Sequence, residues 1–176
     1  KCNDLDAVIV PSTAMHDCLT NYGVTRPIHV LPTGIPLARF AAGDRSGFRV
    51  RRGIGAQRPT VLFVGRVAHE KNIRFLLQML ARVCQSRPDI LLLITGEGPA
   101  EPSLRAEVAR LGLAGNVEFL GYLDRQRELP DCYAAVDAFV FASRTETQGL
   151  VLLEAMAMGV PVVALAAMGT KDILAS

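Results

Sequence analysis

Two carboxylates eight positions apart, Glu146 and Glu154, punctuate an otherwise apolar stretch running from Ser143 to Ala164. It follows Ala138-Phe-Val-Phe-Ala142, whose β-rich residues run without a polar break and read as a fully buried strand. Gly149 permits a close backbone approach. Residues 150–158 carry helix formers, apolar almost all round, until Gly159 closes the helix and Pro161 prevents its continuation. Glu146 then falls beyond the carboxyl end of a strand, where open α/β sheets bind ligands. Glu154 falls about one turn inside a helix too apolar for the surface. Between them, the free N–H groups of Gly149, Leu150 and Val151 point out of a helix N-terminus and form a ready anion site. Two acids flanking such a site would repel a lone phosphate. They suit a ligand with hydroxyls on both sides of its phosphates, as a nucleotide-sugar has. The plainer alternative makes Glu146 a helix-start acid and Glu154 a buried acid paired with an arginine.

Arg66 and Lys71 add the opposite charge. Both follow Thr60-Val-Leu-Phe-Val64, a second buried strand, and so fall on the same edge of the sheet as Glu146. When a sugar leaves a nucleoside diphosphate, the diphosphate gains negative charge, and cations already fixed beside it stabilise that change. As mere surface residues they would sit at a helix start, where positive charge is unfavourable by about 0.3–1 kcal/mol. That mild misplacement favours a binding role. His69, between the two cations, reads as a surface histidine; His16 and His29 have no neighbours suggesting metal or catalysis. Gly96-Glu-Gly98-Pro99 lacks the third glycine and the downstream acid of a dinucleotide fingerprint, so it reads as a strand-end turn with scope for backbone contact.

The elements that must position these residues alternate along the chain. Strands are expected at 7–10, 28–31, 60–64, 90–95, 117–120, 138–142 and 160–164. Helices are expected from Ser12 or Thr13 to about Tyr22, over 72–86 and 102–111, from Asp124 to about Ala135 across Pro130, and over 150–158. The pattern from residue 60 onward predicts an α/β fold with a right-handed, doubly wound parallel sheet. Residues 41–59 are the most irregular. Arg45, Arg49, Arg51, Arg52 and Arg58 gather there against one acid, Asp44, and read as a solvated surface segment, with anionic lipid head groups as the alternative contact.

Composition narrows the classes. The 176 residues, half of them apolar, support one ordinary domain. A net charge of +2 argues against nucleic acid as a partner. No apolar run approaches the length of a membrane span. Lys1 opens the chain without a signal-peptide pattern, so the chain reads as excised from a longer protein. Cys2, Cys18, Cys84 and Cys132 are widely spaced, which favours free thiols in a reducing compartment over disulfides or zinc.

Glu146 and Glu154, followed by Ala-Met-Ala-x-Gly-Val-Pro-Val-Val-Ala, resemble the Glu-x7-Glu signature of retaining glycosyltransferases of the GT-B fold, and most closely glycosyltransferase family 4. Gly65-Arg66 and Lys71-Asn72 resemble that family's Gly-Arg…Glu-Lys motif. The similarity runs from Asp6-Ala-Val-Ile-Val-Pro-Ser12 to Gly169, with several motifs in order. It implies the Rossmann-like C-terminal domain of a GT-B enzyme, truncated at both ends: residues 1–35 would be the tail of an acceptor-binding N-terminal domain plus linker, and 36–176 the nucleotide-sugar donor-binding domain. The first 30 residues, cut from their own domain, would pack poorly.

By resemblance, Glu146 touches the donor sugar and supports it electrostatically. Arg66, Lys71 and the Gly149, Leu150 and Val151 backbone hold the diphosphate, Glu154 holds the ribose, and the Gly121-Tyr122-Leu123 backbone reads the base. Thr-Glu-Thr-Gln-Gly-Leu-Val-Leu-Leu-Glu looks like the glycolipid branch, which transfers glucose to diacylglycerol or related membrane lipids. The implied donor is a UDP-sugar and the implied acceptor a lipid or glycan. The setting is cytoplasmic, at the cytoplasmic face of a membrane with peripheral association, and neither cofactor nor metal is called for. Met168-Gly169 departs from the family's usual Gly-Gly and puts the turn beside the donor sugar in doubt. An epimerase of the same architecture and a non-catalytic interaction module are the rival readings; a nicotinamide enzyme is more distant, because the glycine fingerprint fails.

Overall fold

The computed structural model describes residues 1–175; Ser176, the last residue of the expected donor domain, lies outside the described residues. Five strands form one all-parallel sheet: β3 (Thr60–Val64), β4 (Leu91–Thr95), β5 (Val117–Gly121), β6 (Ala138–Phe141) and β7 (Val162–Ala164), in the order β5-β4-β3-β6-β7. The doubly wound sheet expected from the alternation is the sheet observed. Parallel strands need crossovers, and each is helical: α3 (Ile73–Val83), α4 (Glu101–Arg110), α5 (Glu128–Ala134) and α6 (Leu150–Ala157), with α7 (Gly169–Leu174) after β7. α3 and α4 pack together, while α5 meets α6 elsewhere through Tyr133. With helices on both faces, the central strands are apolar without alternation: Leu62, Phe63, Leu92, Leu93, Ile94 and Phe139 are buried outright. Phe63 and Phe141, on neighbouring strands, stack at 5.7 Å between ring centroids.

Strand and helix limits shift by only a few residues from those expected, and the largest shift has a local cause. The helix expected to start at Asp124 begins at Glu128. Asp124 instead caps a turn, its Oδ1 accepting from the N–H groups of Gln126 and Arg127 at 3.0 Å each. Pro130 therefore stands in the first helical turn, where its missing N–H has no partner to lose.

The segment 41–59 departs further from expectation. Most of it is exposed, as expected, but it is not irregular: Arg45–Arg51 form a helix, α2, with the Asp44 carboxylate accepting the Gly47 N–H at its start. α2 packs against α5. Arg49 is only 3% exposed, and its guanidinium donates to the carbonyls of Ala135, Gly55 and Arg58. Arg45 donates to the carbonyls of Ala134 and Val136 and pairs with Asp137 at 2.8 Å. These arginines thus satisfy the orphan carbonyls at the end of α5, where the helix dipole favours positive charge. In return Asp131 of α5 accepts from the Asp44 N–H and from Arg51, each at 2.7 Å. Arg58 binds the carbonyls of Asp89 and Gly115. Arginine density here serves as joinery between elements.

Residues 1–36 make a smaller unit. β1 (Val8–Val10) and β2 (Ile28–Val30) pair in parallel across α1 (Thr13–Asn21), and only Val10 and Ser12 are buried. Its apolar residues Leu5, Ile9, Tyr22 and Leu31 are exposed. The docking is polar and specific. The Ser12 hydroxyl donates to the Thr147 carbonyl at 2.7 Å, and Asp172 of α7 accepts from both the N–H and the hydroxyl of Thr13. The four cysteines carry free thiols, and no helix among the described residues is long and apolar enough to cross a membrane.

The buried charges of Arg49 and Glu107 can each be tested by substitution. Replacing Arg49 by Met strands three carbonyls that now accept from a charged donor, each such bond being worth about 1.5–3 kcal/mol and not additive. Urea unfolding is expected to show a loss of about 3 kcal/mol; a loss below ~1 kcal/mol contradicts the joinery argument. Glu107 is buried and accepts from Arg110 and Arg74, and those hydrogen bonds hold its carboxyl down at about 2. A depressed carboxyl stabilises the fold above its unfolded value near ~4.3 and loses that contribution as the pH falls toward the folded value. The stability gap between wild type and Glu107→Gln is therefore expected to stay constant from about pH 5 to 8 and to close between about 4 and 2. A gap that widens on acidification would contradict it.

Candidate functional site

Strand order reverses at β3. The chain leaves β3 toward β4 on one side, and β6 returns to pair with β3 on the other. The connections diverge from these two carboxyl ends and leave a crevice. Glycine shapes its floor. The loop after β3 keeps pairing with the loop after β4: the Gly65 N–H donates to Thr95, the Val67 N–H to Glu97 and the Ala100 N–H to Val67. A Cβ on Gly96 would stand 2.0 Å from the Gly65 oxygen, at φ +117°, so only glycine fits there. With the backbones this close, Arg66 is turned outward and is exposed.

Lys71 ends a short 3-10 helix, His69–Lys71, and its Nζ lies 2.7 Å from Glu146 Oε2. Their side chains are 19% and 21% exposed, which screens the pair only partly. Asn72, left-handed at φ 56°, carries the chain into α3 while its Nδ2 donates to the Ala142 carbonyl at 3.2 Å. That bond ties the loop after β3 to the end of β6. Gly149 begins α6 at φ 83°, a conformation that favours glycine, and leaves Leu150 and Val151 in the first helical turn. The loop ahead of it is pinned from behind: the Gly169 N–H donates to the Glu146 carbonyl at 2.8 Å, and a Cβ on Gly169 would stand 2.2 Å from the Thr147 oxygen.

Glu154 is 2% exposed. One carboxylate oxygen accepts from Arg125, and the other accepts the Tyr133 hydroxyl at 2.9 Å. Burial, and then the negative charge of Glu154, push the Tyr133 phenol upward, so it stays a donor. The plainer reading of Glu154, a buried acid paired with an arginine, therefore describes its geometry, and yet the same carboxylate faces a cleft. Arg66, Lys71, Glu146, Gly149, Leu150, Val151 and Glu154 all line one cavity of about 490 Å3, together with Arg125 and Glu70. A second cavity of about 330 Å3 adjoins it, sharing Val64, Gly65, Arg66 and Arg125 and continuing past Gly96, Glu97, Tyr122 and Leu123. His69 faces neither; it is exposed beside a separate hollow along α3.

Residue types and spacing did not single out Arg125 or Tyr133, and gave Asn72 no role of its own. Arg125 had one usable signal: it follows the carboxyl end of β5, on the same sheet edge as the other candidates. The doubtful turn at Met168 is also resolved. Met168 adopts φ 52°, ψ −135°, a region glycine occupies and other residues enter at a cost of about 1–3 kcal/mol.

A charged crevice at the switch point of a doubly wound sheet, rimmed by cations and acids, stands where open α/β sheets take their ligands. Residues 58–176 match the family described as Glycosyl transferases group 1, and the chain belongs to that family. It is 35% identical over 167 residues to alpha-monoglucosyldiacylglycerol synthase of Streptococcus pneumoniae, covering 92% of this chain and 38% of that protein. It is 36% identical over 152 residues to D-inositol 3-phosphate glycosyltransferase of Segniliparus rotundus, covering 83% of this chain and 34% of that protein. Among solved structures, Anabaena HepE in complex with UDP-glucose superposes with a TM-score of 0.86 at 28% identity, over 96% of this chain and 47% of that one. The chain thus spans between about a third and a half of the length of these relatives.

Relief of the Met168 strain is measurable. Met168→Gly is expected to raise stability by about 1 kcal/mol, the strain released less the entropy glycine adds to the unfolded chain. A destabilised variant in urea unfolding would show that the conformation carries no strain.

Proposed function

We propose that this chain is the donor-binding part of a retaining hexosyltransferase that takes glucose from UDP-glucose and passes it to a membrane lipid such as diacylglycerol. One observation carries the reading: Arg66 and Lys71 from the end of β3, and Glu146, the Gly149–Val151 backbone and Glu154 from the end of β6, line one cleft. In this reading residues 1–35 belong to an acceptor-side domain and linker, and 36–176 to the donor domain. The exposed apolar residues of the two-stranded sheet support that division. The glycolipid acceptor is supported by the similarity to alpha-monoglucosyldiacylglycerol synthase; in this reading the work is done at the cytoplasmic face of a membrane.

The chemistry follows from the charges. The diphosphate lies along the α6 N-terminus, where the Gly149, Leu150 and Val151 amides and the dipole favour an anion. Arg66 and Lys71 stabilise the negative charge that grows on it as the sugar bond breaks. Glu146 accepts hydroxyl hydrogen bonds from the sugar and supports the oxocarbenium-like charge at its anomeric carbon. The Lys71–Glu146 pair keeps both side chains in place beforehand, so little reorganisation accompanies reaction. Glu154 accepts from the ribose hydroxyls, and the smaller cavity takes the base. The acceptor attacks the face from which the diphosphate leaves. The leaving phosphate oxygen takes the acceptor proton, and configuration is retained.

Calorimetric titration with UDP, GDP and ADP tests this. UDP is expected to bind most tightly, and Glu154→Ala to weaken it by about tenfold or more, the loss of hydrogen bonds to a charged acceptor. Glu146→Gln is expected to abolish the preference for UDP-glucose over UDP while leaving UDP affinity within about threefold. If no nucleotide binds, or if Glu154→Ala leaves UDP binding intact, the cleft is not a donor site.

A further inference from the structure

Arg125 is the charged residue that both cavities share with Arg66 but that no motif includes. It lies in the turn between β5 and α5, and its guanidinium meets Glu154 through one nitrogen, Nη2. Glu154 is buried, but Arg125 is 48% exposed. A guanidinium has five N–H donors, so most of its hydrogen-bonding capacity faces the open cleft.

Counting charge shows what that capacity is for. Around the larger cavity three cations, Arg66, Lys71 and Arg125, face three carboxylates, Glu70, Glu146 and Glu154, and the smaller cavity adds Glu97. Lys71 is already engaged by Glu146. Without Arg125, an anionic ligand would meet an excess of carboxylates, one of them buried and half satisfied by Tyr133 alone. A nucleoside diphosphate is anionic, and its ribose joins the base to the phosphates just as Arg125 joins the two cavities.

We propose that Arg125 is a third nucleotide-binding cation. It holds the Glu154 carboxylate while the cleft is empty and directs its remaining donors to the diphosphate when the cleft is filled. This rests on reading the cleft as a nucleotide site and adds a residue to it. A plain structural cap would act through Glu154 alone, affecting uridine and UDP alike. A phosphate-directed cation favours UDP.

The test is calorimetric binding of UDP and of uridine to wild type, Arg125→Met and Arg125→Lys, with thermal melts confirming that each variant is folded. Arg125→Met is expected to weaken UDP by about tenfold or more and uridine by less than about threefold, with Arg125→Lys between the extremes for UDP. Equal losses for uridine and UDP would reduce Arg125 to a cap on Glu154 and overturn the proposal. So would unchanged UDP affinity in Arg125→Met. Failure of wild type to bind UDP at all would instead remove the nucleotide reading itself, and this proposal with it.

Discussion

The structure depends on one topological constraint. Two neighbouring parallel strands, β3 and β6, send their chains away from each other, and no helix can close over both of their ends. Everything chemical in the chain stands at that opening. Gly65 and Gly96 let the loops after β3 and β4 touch backbone to backbone, which makes a floor and sends Arg66 upward. Asn72 then bonds the Ala142 carbonyl and fixes the spacing between the cationic loop and the acidic one. Lys71 and Glu146 meet across that fixed gap rather than finding each other through flexible loops.

Much of this was legible in the sequence because it rests on local signals. Buried parallel strands announce themselves as unbroken apolar runs, and glycines after such runs announce turns at the carboxyl edge. Hence the sequence alone puts Arg66, Lys71, Glu146 and Glu154 on one rim. What stayed hidden depends on partners distant along the chain. α2 spans only seven residues and contains Gly47, too short for a periodic pattern to emerge. Its arginines look like solvated charge unless one knows that carbonyls some 86 residues later need donors. Arg125 offered only its place after the carboxyl end of β5, since the buried carboxylate that engages it lies 29 residues further on. Met168 shows the converse. The departure from Gly-Gly was visible in the sequence, but the positive φ that Met168 adopts was not.

The buried acid links these two groups of residues. A carboxylate as enclosed as Glu154 costs several kcal/mol to keep charged unless both of its oxygens are satisfied. Arg125 satisfies one, and Tyr133 satisfies the other from the last turn of α5. That phenol is held only as firmly as α5 is held. α5 is a two-turn helix whose C-terminal carbonyls would otherwise lack donors. Arg45 and Arg49 of α2 take those carbonyls, and Asp131 returns the bond to Arg51 and the α2 N-terminus. Gly43 permits the contact, since a Cβ there would press to 2.5 Å from the Pro130 oxygen. The arginine-rich segment that reads as surface is therefore the remote end of a line of support. It runs from α2 through α5 and Tyr133 to the carboxylate in the cleft, and loosening it should disorder the site without touching any residue that lines it.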